Sequence, residues 1–252
     1  MGSFQNEFVA SFYLQVKRFW RAKSRVLGSI IQPLFWMIFF GAGFSRSVRF
    51  PGPSSYMSFL IPGVILMTVF MASFFSGVSI IWDKEFGFMK VVLVSPASRK
   101  ITLLGRIAGD ALIAMFQGLM ISLVAYVLAP DLNYLCIPLV LGVAFLVSLA
   151  TSSIGIILAS KIRSFEGFGL IMNIISMPLI FASGVFFPVE TMPDWMKVIA
   201  YISPLTYGVD IARGLMLGVS SIDPMIDLMA VSILSVVLVS LATLLFEKTT
   251  IE

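Results

Sequence analysis

The chain contains no histidine and a single cysteine, Cys136, among its 252 residues. Without histidine the commonest general base and metal ligand are missing, which removes most intramembrane metalloproteases and histidine-relay pumps. A lone cysteine builds no intrachain disulfide framework. Charge is scarce too, at 12% of residues, against roughly 25% in soluble domains. A soluble protein of this size needs a charged exterior, so a chain this poor in charge is expected to use lipid as its outer solvent. Catalytic signatures are also lacking. No G-x-x-x-x-G-K-[ST] loop and no Gly-Lys pair occurs, so ATP phosphates have no P-loop to sit in. No G-x-S-x-G occurs either, and a Ser-His pair is impossible without histidine. No catalytic, cofactor or metal site is expected in this chain, and any ATP hydrolysis must come from a partner.

What is present is apolar: 59% hydrophobic residues and a mean hydropathy of +1.02. Apolar runs fall at 26–44, 58–81, 111–129, 135–160, 168–187 and 228–246. Each is near the ~20 residues that cross a ~30 Å hydrocarbon core. The fold class predicted is all-α integral membrane, with six transmembrane helices in one domain over 26–252. Ahead of it, residues 1–25 read as an amphipathic helix. Phe4, Phe8, Phe12, Val16 and Phe19/Trp20 recur at spacings of three and four, and Lys17, Arg18, Arg21, Lys23 and Arg25 follow. Such a helix suits a membrane surface, half sunk among headgroups. It lacks the order of a signal peptide, in which a basic stretch precedes the apolar core. Between 191 and 219 the chain is semi-apolar but broken by Pro193, Pro204 and glycines, which fits a short re-entrant or interfacial helix pair.

With six spans, thirteen of the 17 Lys and Arg residues fall on one side. The other side holds only Arg46, Arg49, Lys197 and Arg213. The positive-inside rule then puts both termini in the cytoplasm. The net charge of +4 carries no implication of nucleic acid in a chain of this kind.

The most informative loop is WDKEFGFMKVVLVSPASRKITLLGR, residues 82–106. Phe86, Met89 and Leu93 share a helical face, Ser95-Pro96 ends the short helix, and Ser98 suits the N-cap of the next. An amphipathic element hung between two spans either lies on lipid or plugs into a groove of another protein. Within the runs, Asp110, Asp210, Arg213 and Asp227 stand near span ends, where headgroups or water are in reach. Gln32, Gln117 and Asn173 lie deeper, to contact a substrate or, by preference, to hydrogen-bond helix to helix. Pro178 with Gly184 suggests a kinked or broken fifth span. Twenty-three Phe and 15 Met suit an adaptable greasy surface, though lipid-facing side chains look the same.

Several stretches together resemble the permease subunit of type-2 ATP-binding-cassette exporters, in the group of daunorubicin-resistance and nodulation-factor export permeases. They are LIPGV at 60–64, EFGFMKVVLVSPASR at 85–99, SFEGFGLIMNIISMPLIFASGVFFPVETMP at 164–193 and ISPLTYGVDIARG at 202–214. The resemblance covers nearly the whole chain, without a fused nucleotide-binding domain. It implies that the short helix in the 82–106 loop is a coupling helix seated in a separate ATPase subunit, with Asp83, Glu85, Phe86, Gly87, Phe88 and Lys90 at the contact. It implies a second ATPase contact through the N-terminal helix. The segment 188–219 becomes an external re-entrant gate, with Pro188, Pro193, Pro204 and Tyr207. Two permease copies would pair with two ATPase copies, ATP and magnesium being bound by the partner, in the plasma or inner membrane. The cargo expected is a drug-like compound, a lipid or a lipid-linked glycan. Rival expectations are a polysaccharide-export permease of the same architecture, an ion-gradient-driven transporter using Asp110, and a scaffold that transports nothing.

Overall fold

The computed structural model describes residues 2–43, 55–87, 98–162 and 164–247. Those residues form helices and connecting turns, with no strand among them. Helix α1 (Gly2–Arg21) is followed by α2 (Lys23–Trp36), and the axis bends by 71° between them at Ala22. Pro33 lies inside α2, and the helix continues as a π-helical stretch, Met37–Ala42. Proline cannot donate to the preceding turn and crowds its carbonyl, so the altered winding begins one turn after it.

Helix α3 (Tyr56–Phe74) opens on Ser55, whose hydroxyl accepts the Ser58 amide at 3.1 Å. A single 3-10 turn, Phe75–Gly77, joins it to α4 (Val78–Glu85), so Tyr56–Glu85 is one long apolar element. It is the most enclosed of the candidate spans. Around it stand α5 (Arg99–Leu128), α6 (Ile137–Lys161) and α7 (Phe165–Phe181). The short helices α8 (Asp194–Ile202) and α9 (Pro204–Leu217) follow, then α10 (Pro224–Glu247). Four elements are long and apolar enough to cross a membrane, and a fifth candidate is the bent pair α1–α2. The apolar α7 is shorter.

Lipid tails give two helices little hydrophobic reason to associate, so contact depends on small residues and buried hydrogen bonds. Both devices hold α3–α4 to α6. A Cβ on Gly77 would run into the Gly155 carbonyl, and one on Gly155 into the Phe74 carbonyl. Beside this close approach the Ser73 and Thr151 hydroxyls hydrogen-bond at 2.5 Å. On the other face of α6, Ser235 of α10 donates to the Leu146 carbonyl at 2.8 Å.

The N-terminal helix buries one stripe against protein and leaves much of the rest of its surface exposed. It lies along α5, where a Cβ on Gly105 would come 2.5 Å from the Phe8 carbonyl oxygen and one on Gly109 2.9 Å from Gln15 Cβ. Gly105 and Gly109 form the small-x-x-x-small spacing of close membrane helix packing. Phe19 and Gln15 are buried there, while Tyr13 and Trp20 stay exposed.

Candidate functional site

The span Tyr56–Glu85 ends in charge. Asp83 is buried and receives Arg106 of α5 in a short ion pair, with Arg18 of α1 bonded to its other oxygen at 3.1 Å. Next to it, Lys84 donates to the Ala159 and Ser160 carbonyls of α6 at 2.8 and 3.0 Å, a cation placed on the carbonyls that end a helix. The chain then turns at Gly87, whose φ of +73° closes the helix in a conformation that side chains resist. Phe86 therefore belongs to the end of the span, where its ring meets Trp82 edge-on, and not to a separate helix running on through Gly87.

Of the residues expected at a partner contact, Glu85 and Phe86 face outward and Asp83 faces inward. Phe88 and Lys90, and with them the short helix expected from Met89 and Leu93, lie outside the described residues. Where the chain resumes, Ser98 stands at the N-cap of α5 without a side-chain cap bond. Its amide instead donates to Glu7 of α1 at 3.0 Å. Both flanks of the 88–97 segment are thus bonded to the N-terminal helix, through Arg18–Asp83 and Glu7–Ser98. These pairings join residues 65 and 91 positions apart and leave no local mark; the Gly105/Gly109 spacing was the one available hint.

Above this basic end lies a cavity of about 590 Å³ between α1, α2, α3, α5 and α7. Its volume falls within the roughly 300–1,000 Å³ of small-molecule sites. Gln32, Gln117 and Asn173, far apart in sequence, all line it. Their side chains make no hydrogen bonds to other helices among the described residues, contrary to the preferred expectation. Gln15 donates to Asp110 at 2.8 Å at the cavity edge. Met67, Met71, Met177 and Phe181 supply apolar wall, and Trp36 and Phe186 close the far end in aromatic contact. The cavity is therefore graded, with charge at its base, carboxamides at mid-height and aromatic rings at the top.

A second polar cluster sits under the α8–α9 hairpin. Arg213 is buried, lies 3.8 Å over the Phe59 ring and donates to the Gly184 carbonyl at 2.7 Å. Burial pulls its guanidinium down to about 10, while Asp210 and Glu190 oppose that shift, so it stays a cation at neutral pH. Asp210 accepts the Ser221 and Ile222 amides at 2.9 Å each, and Asp227 is fully enclosed beside it. Asp110, Asp210, Arg213 and Asp227 are thus all buried in protein, where the sequence had them reaching headgroups or water. Their positions near the ends of apolar runs misled, because burial was set by helices distant in sequence.

The four residues expected in the hairpin segment serve as its joints. The Pro188 carbonyl accepts the Thr191 amide, Pro193 caps α8, and Pro204 opens α9. Tyr207 donates to the Tyr201 carbonyl at 2.6 Å, tying α9 to α8. Pro178 and Gly184 act as expected of a broken span. Helix α7 ends at Phe181, one turn after Pro178, and Gly184 turns the chain with φ +82°.

Comparison with known proteins agrees with this architecture. The family model described as ABC-2 type transporter matches residues 6–217. The putative transport permease ycf38 of Cyanophora paradoxa is 28% identical over 216 residues, covering 82% of this chain and 74% of its own length. Nodulation protein J of Rhizobium leguminosarum bv. trifolii is 27% identical over 229 residues, covering 90% and 87%. The daunorubicin resistance ABC transporter permease protein DrrB1 of Streptomyces coeruleorubidus is 28% identical over 209 residues, covering 77% and 69%.

Proposed function

We propose, from the premise that the chain belongs to the ABC-2 type transporter family, that it is the permease half of an exporter driven by a separate ATPase. The coarser statement, a multi-pass membrane permease, follows from the family and the apolar helices. In the finer reading the chain crosses the membrane six times. Helix α2 with its π-helical extension is the first span, and α7 is the fifth. Seventeen residues of α7 reach only about 26 Å at 1.5 Å per residue, and the turns after Phe181 complete the crossing. Both termini and the ion-paired end of the bundle face the cytoplasm, and the α8–α9 hairpin caps the outer side.

The observation that carries this reading is the cavity standing directly above the Asp83 network. A site for an amphipathic molecule inside the bundle adjoins an end of the protein where a force from outside can enter. Glu85 and Phe86 point outward there, and the chain following them is bonded at both flanks to α1. ATP and magnesium bind in the partner, whose binding energy shifts the permease by its different contacts with two states. Two permease copies would meet two ATPase copies, with the cargo a drug-like compound, a lipid or a lipid-linked glycan.

The test is transport in sealed inside-out vesicles carrying the chain with its ATPase. ATP-dependent movement of a fluorescent amphiphile, unaffected by collapsing ion gradients, is the expected result. Movement that persists without the ATPase and stops when the gradients collapse would contradict it.

A further inference from the structure

We propose that Asp227 is held as a neutral acid whose proton is shared with the Asp210 carboxylate, so that one buried proton fastens the α8–α9 hairpin to α10. This joint stands on the fold alone, whatever the chain transports. Asp227 lies in the first turn of α10 and is fully enclosed, and no donor among the described residues reaches either of its carboxyl oxygens. Nearly all buried polar side chains find a partner, and an enclosed carboxylate without one is among the costliest arrangements a fold can hold. The group within hydrogen-bonding reach of Asp227 is the Asp210 carboxyl. Two ionised carboxylates would meet there as acceptors of like charge. A single proton between them turns that repulsion into a charge-assisted hydrogen bond.

The surroundings decide which acid carries the proton. Asp210 takes the Ser221 amide on both oxygens, at 3.0 and 2.9 Å, and the Ile222 amide at 2.9 Å. Arg213, one turn further along α9, adds a cation on that side. Its guanidinium is engaged with the Gly184 carbonyl and the Phe59 ring, and brings no donor to Asp227. Near Asp227 stand Tyr207, whose hydroxyl donates to the Tyr201 carbonyl, and Asp223, whose carboxylate takes the Met225 amide. The amide of Asp227 itself donates to the Asp223 carbonyl. The other helices packed on α10 bring charge to its far end: α6 carries only Lys161, in its last turn, and α5 sets Arg99 and Lys100 against Glu247. The adjoining cavity of about 110 Å³ is walled by Asp210 and Arg213 rather than by Asp227. Asp210 is thus the acid served as an anion, and Asp227 the one left to carry the proton. Through Asp210 the pair joins α9, the turn holding Ser221 and Ile222, and α10.

The test compares infrared spectra of the full chain and its Asp227→Asn variant in lipid nanodiscs at neutral pH, in water and in deuterium oxide. The difference between the two is expected to contain one carboxylic-acid carbonyl band that deuterium shifts. A difference made up of ionised-carboxylate bands instead would overturn the proposal. Hydrogen exchange read by mass spectrometry follows the joint itself through the Ser221 and Ile222 amides. Asparagine keeps a donor toward Asp210, so Asp227→Asn should leave their exchange within about twofold of wild type. Asp227→Leu should speed it about tenfold, the worth of one hydrogen bond to a charged group. Equal acceleration by both substitutions would mean that the negative charge of Asp227 holds the joint, and would overturn the proposal. Unchanged exchange in Asp227→Leu would refute the fastening. Both readouts need neither ATPase nor cargo, so their failure and failure of the exporter reading are told apart.

Discussion

Asp83→Asn is the substitution whose effect the structure specifies most fully. Asparagine keeps the shape and removes the charge that holds Arg106 and Arg18. The Arg106 and Asp83 side chains are 11% and 7% exposed, and stripping one partner from such a pair costs about 3–5 kcal/mol. The network opens toward the basic surface, so the lower end, about 3 kcal/mol, is the expected loss. Arg18 is 36% exposed, and an ion pair that open to solvent contributes about 0–1 kcal/mol. At roughly 2–4 °C per kcal/mol for a chain of this size, Asp83→Asn should lower Tm by roughly 6–12 °C. Arg106→Met should come close to that figure, and Arg18→Met should shift Tm by no more than about 4 °C. Thermal unfolding of the purified chain in nanodiscs reads all three, and a double-mutant cycle between Asp83 and Arg106 isolates their coupling. A Tm for Asp83→Asn within about 2 °C of the parent, the scatter expected between independent sites, would refute the reasoning. So would equal losses from the two arginines.

Further outcomes follow from the same contacts. Gly87→Pro should abolish export while leaving the chain inserted, because proline's φ near −65° is incompatible with the +73° observed; Gly87→Asn, tolerant of that conformation, should retain most activity, and vesicle transport compares them. Gly109→Ile should push α1 off α5, since even a Cβ there meets Gln15, and should expose residues 5–21 to limited proteolysis; an unchanged cleavage pattern would count against the docking. Cys136→Ser should leave transport and Tm unaltered, as the half-buried Cys136 makes one weak hydrogen bond, from Asn133, among the described residues, and loss of export would reveal a role absent from the present account.

The long apolar runs made the crossing helices readable, because lipid exposure writes itself directly into composition. The proline and glycine joints were readable for a similar reason: backbone geometry at Pro178, Gly184, Pro193 and Pro204 is local. What sequence left obscure was every contact made across the bundle. The aromatic periodicity of α1 announced an amphipathic helix but not that a stripe through Gln15 and Phe19 packs on α5. Asp110 gave no sign of Gln15, its partner 95 residues away. Gln32, Gln117 and Asn173 were visible as polar residues in apolar runs, yet their meeting in one cavity depends on how three helices pack. The turn at Gly87 was not legible in the spacing that grouped Phe86 with Met89 and Leu93, since a period read from spacing does not register a single residue at positive φ.

The most direct test of the central claim is co-purification of this chain with a candidate ATPase, wild type against Glu85→Arg, with ATP turnover recorded in lipid. Glu85 is exposed at the end of the ion-paired span, so reversing its charge should spare the fold. A stable complex that Glu85→Arg dissociates, or whose ATP turnover it uncouples from transport, is the result predicted. A complex and coupled turnover unchanged by the substitution would contradict the coupling role, and failure of the wild-type chain to bind any ATPase would contradict the exporter reading itself.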